Sequence, residues 1–122
     1  MESTDPPDAS LRLSREQLGT TWVVHATGEV DVSTAPQLRH EALPDGPVPA
    51  LLVLEFTGVT FLDSAGLTVL VQLNEWCREH EAAFKVVTRS RAVLRTLQIT
   101  ALDRILTIVA TLDDALPTGR QA

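Results

Sequence analysis

Apolar and polar positions along the chain switch between two periods, and the switches set out a series of elements. In the first stretch Leu11, Leu13 and Leu18 fit one strand, and "TTWVVHATGEV" over 20–30 fits a second. The Gly19 region between them predicts a hairpin. "DVSTAPQLRHEALPDG" over 31–46 reads as a helix, with Ser33 or Thr34 as its cap, Pro36 suited to its first position and "PDG" ending it. "ALLVLEF" over 50–56 is a continuous apolar run of strand length, as expected of a strand buried on both faces. The longest helical pattern follows over 64–82, then a short β-branched strand, "FKVVTR", over 84–89. "SRAVLRTLQIT" over 90–100 predicts a helix capped by Ser90, "DRILTIVA" over 103–110 a last strand, and "TLDDAL" over 111–116 a short closing helix. Strands alternating with helices imply parallel pairing in an α/β sheet, with the opening hairpin adding antiparallel strands. Residues 11–116 form one domain in this reading, between flexible tails over 1–10 and 117–122.

The long helical pattern carries more apolar surface than a sheet-packed helix needs. At 3.6 residues per turn Leu67, Leu70, Val71, Asn74 and Cys77 share one face, suited to a sheet. Val69, Leu73 and Trp76 fall on an adjoining face, and Thr68, Gln72, Glu75 and Glu79 make the polar side. A helix on a sheet needs an apolar arc of about 100° or somewhat more. Either another element covers Val69, Leu73 and Trp76, or these three are partly exposed and meet a partner.

Composition narrows the chemistry. The chain has 122 residues, 44% of them apolar, enough for one domain with a core. No run approaches the roughly 18 apolar residues of a membrane span. The acidic, proline-rich start "MESTDPPDAS" is not a signal peptide, so a cytoplasmic location is expected. A net charge of −6 disfavours nucleic acid and anionic membrane as partners, since both need clustered Lys and Arg. One cysteine, Cys77, has no partner for an internal disulfide and reads as a buried small hydrophobe. His25, His40 and His80 are isolated, and no metal-binding spacing, phosphate loop or dinucleotide fingerprint occurs, so no metal and no cofactor are expected. Ser64 is not in a GxSxG elbow, and no catalytic residue is assigned. The alternating pattern also suits a phosphoacceptor receiver domain. That chemistry needs a carboxylate pair after the first strand to hold Mg²⁺, and here Glu29 and Asp31 are separated, Asp113 and Asp114 come near the end, and the one lysine, Lys85, opens a different strand.

What remains is "FLDSAGLTVLV" over 61–71: a reactive hydroxyl, Ser64, between a carboxylate and two small residues at the mouth of a helix. A cap explains a serine there, and Asp63 either caps the helix, the favoured role, or orients the Ser64 hydroxyl; capping does not explain the small residues next to an over-wide apolar face.

"GEVDVSTAPQLRHEAL", "LLVLEFTGVTFLDSAGLTVLVQL" and "FKVVTRSRAVLRTLQITALDRILTI", in this order, resemble a STAS domain over about residues 11–115. The combination of "GEVDVSTAP" and "DSAGL" is most similar to the bacterial anti-sigma-factor antagonists. The resemblance implies a mixed sheet with about four helices packed mainly on one side. It implies that Ser64, directly after Asp63, is phosphorylated by the partner, an anti-sigma factor that is also a serine kinase of the histidine-kinase-like ATPase fold. The unphosphorylated form binds that partner and frees the sigma factor, the phosphorylated form does not, and a serine phosphatase restores it. Ala65 stands where many members have a second Ser or Thr, and the helix over 90–100 lacks the frequent Pro-Ala-Val start. The expected contact surface comprises loop 31–36, loop 62–66 and the exposed side of the following helix: Asp31, Ser33, Thr34, Asp63, Ser64, Ala65, Gly66, Thr68, Val69, Leu73 and Trp76. The backbone N–H groups of Ala65, Gly66 and Leu67, free at a helix start, would tolerate a phosphate, so the switch should act at the interface through bulk and through repulsion involving Asp31 or Asp63. Gly66 either opens the approach of a kinase or serves helix–strand packing. Two other readings are a scaffold module of a stress-signalling assembly without the switch, and an enzyme or small-ligand binder, for which the sequence supplies no constellation.

Overall fold

The computed structural model describes residues 10–117. Strand β1 (Leu11–Leu18) and β2 (Thr21–Val30) form the antiparallel hairpin, in full register from Leu11 opposite Gly28 to Leu18 opposite Thr21. Gly19 turns it with a φ of 62°, which a glycine adopts without a Cβ penalty. Helix α1 (Ala35–Ala42), β3 (Leu51–Leu62), α2 (Ser64–Glu79), β4 (Ala83–Val87), α3 (Arg91–Ile99), a 3-10 turn (Leu102–Arg104), β5 (Thr107–Val109) and α4 (Leu112–Ala115) complete the order. The sheet runs β1-β2-β3-β4-β5, with β2 to β5 parallel.

This topology dictates where the helices go. Each of α1, α2 and α3 links one parallel strand to the next in the same direction across the sheet. Right-handed crossovers then place all three on one face. The packing agrees: Leu38 of α1, Leu70 and Leu73 of α2, and Val93 and Leu97 of α3 share one buried cluster with Val24, Leu52, Leu54, Phe56 and Val86 of the sheet. On the opposite face α4 packs against β4 and β5, and Ala115 and Leu112 join a second cluster with Val23, Leu51, Val53, Val87 and Val109. Lys85 donates to the Ala115 carbonyl at 3.1 Å, closing the end of that helix. The double burial of Leu51–Leu54 is what the unbroken run "LLVL" predicts.

Two elements differ most from the sequence reading. β3 continues six residues past Phe56, to Leu62. Its second half pairs with β2 alone, through register shifts between His25 and Thr27 and between Gly28 and Glu29. With one neighbour missing, this half is apolar only in part, so its sequence loses the continuous signature. Conversely, β5 is three residues long, and Asp103 and Arg104 lie in the 3-10 turn. There Leu102 and Leu106 both reach the core at helical spacing, with Leu106 N–H bonded to the Leu102 carbonyl at 2.9 Å, while Ile105 points outward. Local helical packing overrides the alternation that "DRILTIVA" suggests. The expected tails fall on 1–9 and 118–122, outside the described residues, apart from Ser10 and Pro117.

Candidate functional site

Parallel strands bring their carboxyl ends to one edge of the sheet, so the loops leaving β2 and β3 lie side by side. A bond from Asp63 N–H to the Val30 carbonyl, 3.1 Å, ties them together. The residues singled out around Asp31 and Ser64, 33 positions apart in sequence, thus meet at one mouth.

The question of what caps α2 has a clear outcome. Asp63 is the N-cap, in extended backbone, and its Oδ1 accepts from Ala65 N–H at 2.9 Å and Gly66 N–H at 3.2 Å. Leu67 N–H is bonded to the Asp63 carbonyl at 2.9 Å. The three donors expected to be free are therefore taken, and Ser64 is not the cap. It is the first helical residue, exposed, with a hydroxyl that the cap does not use. A phosphoryl group there meets an occupied helix start with a carboxylate already on it.

Asp31 organises the other loop. Its Oδ1 accepts from Ser33 N–H at 2.9 Å, Ser33 Oγ at 2.7 Å and Thr34 N–H at 3.1 Å. Thr34 holds the N-cap position of α1, but its hydroxyl makes no cap bond. It donates to the Glu29 carbonyl at 2.9 Å and accepts from Asp31 N–H at 2.9 Å, which pins the end of β2 to the start of α1. Asp31 does the turning work that the sequence reading gave to Ser33 or Thr34. Its carboxyl is held below the ordinary carboxylate value of 3.8, first by the Ser33 hydroxyl; desolvation, the next effect in size, opposes this, and the Ser33 and Thr34 N–H groups add to the lowering. A lowered folded-state value means that the turn contributes its stability above the unfolded value and loses it as pH falls through the lower folded one. In a carboxyl-detected NMR titration Asp31 is expected to show a midpoint below 3.8, moving back toward it in Ser33→Ala; an unshifted midpoint in the parent protein would refute the turn.

Several expected contact residues change role. Val69 and Leu73 are buried, at 4% and 0% exposure, because α1 packs against α2 and covers them. Their apolar side faces a neighbouring helix, so they are withdrawn from the exposed contact surface, each to the floor of a hollow. Trp76 is half-buried at the edge of the core and stacks on His80, with ring centres 4.0 Å apart. Val71, assigned above to the sheet face, is instead exposed. Gly66 is buried, and a Cβ on it would run into Leu62 Cδ1 and come within 2.8 Å of Val30 Cγ1. It serves the packing of α2 onto β2 and β3, not the approach of a kinase. Asp31, Ser33, Ser64, Ala65 and Thr68 keep some or full exposure at or beside the mouth, while Thr34 is buried.

Two exposed apolar side chains at the mouth escaped the sequence reading: Val32, 76% exposed, and Phe61, 47% exposed. Val32 sits inside "DVST", where the polar neighbours drew attention away. Phe61 belongs to the half of β3 that the pattern missed; placed in register with Val59 and Leu62, which are buried, it is the one that points out. Between α1 and α2, next to the mouth, lies a hollow of about 580 Å³ bordered by Val32, Pro36, Ala65 and Thr68.

Elsewhere the chemistry is quiet. Among the described residues no group of three His, Cys, Asp or Glu is placed to hold a metal. His25 lies on the opposite sheet face, 2.9 Å from Glu16 and 3.6 Å from Glu55. Burial pushes the Cys77 thiol up to about 11, which keeps it protonated and unreactive. Among the described residues no helix is long and apolar enough to cross a membrane.

A helix-covered mixed sheet with a capped serine loop beside the β2–α1 turn is the architecture of a known class. The STAS domain family model matches residues 12–115. The chain belongs to the STAS domain family, and relatives similar to it there include anti-sigma-factor antagonists. The anti-sigma-F factor antagonist RsfB of Mycobacterium tuberculosis is 33% identical over 97 residues, covering 77% of each chain. The anti-sigma-B factor antagonist of Bacillus subtilis is 32% identical over 87 residues, 71% of this chain and 80% of its own. Among solved structures, that of an anti-sigma factor antagonist from Mycobacterium paratuberculosis superposes with a TM-score of 0.76 at 33% identity, over 91% of this chain and 94% of the other.

Proposed function

We propose that this protein is a cytoplasmic anti-sigma-factor antagonist switched by phosphorylation of Ser64. In its unphosphorylated form it binds an anti-sigma factor with serine kinase activity, of the histidine-kinase-like ATPase fold, and so releases a sigma factor. Phosphorylation of Ser64 by that partner ends the binding, and a serine phosphatase restores it. The protein itself is a regulator without catalytic activity.

The observation that carries this reading is the division of labour at the start of α2. Asp63 does the capping, which leaves the Ser64 hydroxyl exposed and unemployed in the fold. It stands at the mouth where Val32 and Phe61 expose apolar surface. A modification there alters a contact surface without cost to the core. The charge arithmetic supports the direction: a phosphoryl group adds about −1.5 to −2 beside Asp63, with the Asp31 loop tied alongside.

The test is recovery of the tagged protein from its own cells, with mass spectrometry of its partners and of the Ser64 peptide. A histidine-kinase-like ATPase held by the unphosphorylated form, with phosphorylated Ser64 in the unbound pool, is the expected result. An unmodified Ser64 across growth and stress conditions, with no such ATPase recovered, would sink the proposal.

A further inference from the structure

The hollow between α1 and α2 has an electrostatic feature that the mouth lacks. Its border is apolar or neutral, from Val32, Pro36, Ala65, Thr68 and Gln72, with one ionisable side chain, the exposed Arg39 of α1. In a chain of net charge −6, whose mouth carries Asp31 and Asp63, this is the one charged side chain of an otherwise apolar or neutral hollow, with Glu75 and Glu79 lying only beyond Gln72. Arg39 Nε donates to Gln72 Oε1 at 3.1 Å, a bond from α1 to α2 that fixes the guanidinium plane and leaves its two Nη groups for another acceptor. Among the described residues it has no carboxylate partner in this chain.

A phosphoryl group on Ser64 is not the natural acceptor. Gln72, which anchors the guanidinium, lies eight residues further along α2, about 12 Å along the helix axis. A second hollow beyond Gln72 shares Arg39 but is lined by Glu75 and Glu79 as well, so it does not select an anion. The first hollow is continuous with the mouth through Ala65 and Thr68, the latter bonded through its hydroxyl to the Ser64 carbonyl at 3.0 Å.

We propose that Arg39 is a specificity residue for the anti-sigma factor: it receives a carboxylate of that protein while an adjacent apolar side chain of the same segment enters the hollow against Val32 and Pro36. This rests on the antagonist reading above. A planar guanidinium with one edge already fixed suits a two-point carboxylate contact, and an apolar side chain docked beside it would exclude competing water. The position also makes partner choice separable from the switch, since Arg39 is on α1 and Ser64 on α2.

The test measures binding of the purified anti-sigma factor recovered above, by titration calorimetry, to the parent protein and to Arg39→Glu, Arg39→Ala and Ser64→Asp. Arg39 is exposed, so its variants should melt like the parent. Arg39→Glu is expected to weaken binding about tenfold or more, and Arg39→Ala by less. Exchange of one Asp or Glu of the partner for Arg should restore binding to Arg39→Glu. Parent-like binding by Arg39→Glu while Ser64→Asp fails to bind would overturn the inference and leave the antagonist reading intact. A loss that no partner exchange rescues would overturn the carboxylate assignment. If the parent protein binds no anti-sigma factor of the kinase type, both fall together.

Discussion

Ser64→Asp is expected to weaken binding of the anti-sigma factor roughly 100-fold or more, about 2.7 kcal/mol, while leaving the fold as stable as before or slightly more so. The two effects have opposite signs for one reason. The new carboxylate stands at the first position of α2, where the helix dipole favours negative charge, by about 0.3–1 kcal/mol. Among the described residues nothing bonds to the serine hydroxyl, and Asp63 already holds the Ala65 and Gly66 N–H groups. For an approaching partner the same carboxylate is a third negative group beside Asp63 and the Asp31 loop, near the exposed apolar side chain of Val32. Placing a like or apolar group against that cluster costs several kcal/mol. Ser64→Ala should bind as the parent does and accept no phosphate. Calorimetric titration and a thermal melt on the same samples separate the effects. A melt that falls by many degrees would mean that the serine is structural, and parent-like binding by Ser64→Asp would refute the switch.

The parts of this site that the sequence made legible are those fixed by local rules. A carboxylate followed by Ser-Ala-Gly ahead of a helical pattern marks a helix start, and Ser90 marks another; it accepts from the Val93 N–H as its position predicts. The neighbourhood of loop 31–34 and loop 62–64 was legible through the family resemblance, and its physical cause is the parallel pairing of β2 and β3. The illegible parts depend on what lies across space. Helix periodicity shows how wide an apolar face is but not which neighbour covers it. α2 therefore carries Val69 and Leu73 inside and Val71 outside, a rotation that only the presence of α1 decides. Phe61 was hidden because half of β3 lacks a neighbour, so its pattern is broken where it becomes interesting. Arg39 was hidden because a single arginine on a polar helix face has no signature until Gln72 of another helix is seen beside it.

The covering of α2 by α1 has a consequence of its own. Leu73→Ala is expected to destabilise the protein by about 2–5 kcal/mol, since Leu73 is fully buried between α1, α2 and the sheet and its removal leaves a cavity that rigid neighbours fill only in part. For a domain of this size that corresponds to a fall in melting temperature on the order of 10–20 °C. Val71→Ala, two residues earlier on the same helix but exposed, should stay within about 0.5 kcal/mol of the parent. The pair forms a direct contrast between the two explanations of the over-wide apolar face. If that face were the docking surface, Leu73→Ala would abolish partner binding and barely move the melt. With α1 in place, the melt falls, and the fraction that remains folded at low temperature binds the partner with parent-like affinity. Urea titration at 10 °C, alongside binding at the same temperature, reads both quantities. An unchanged urea midpoint with lost binding would mean that α1 does not cover Leu73 in solution, and the partner surface would then have to be redrawn across the outer side of α2.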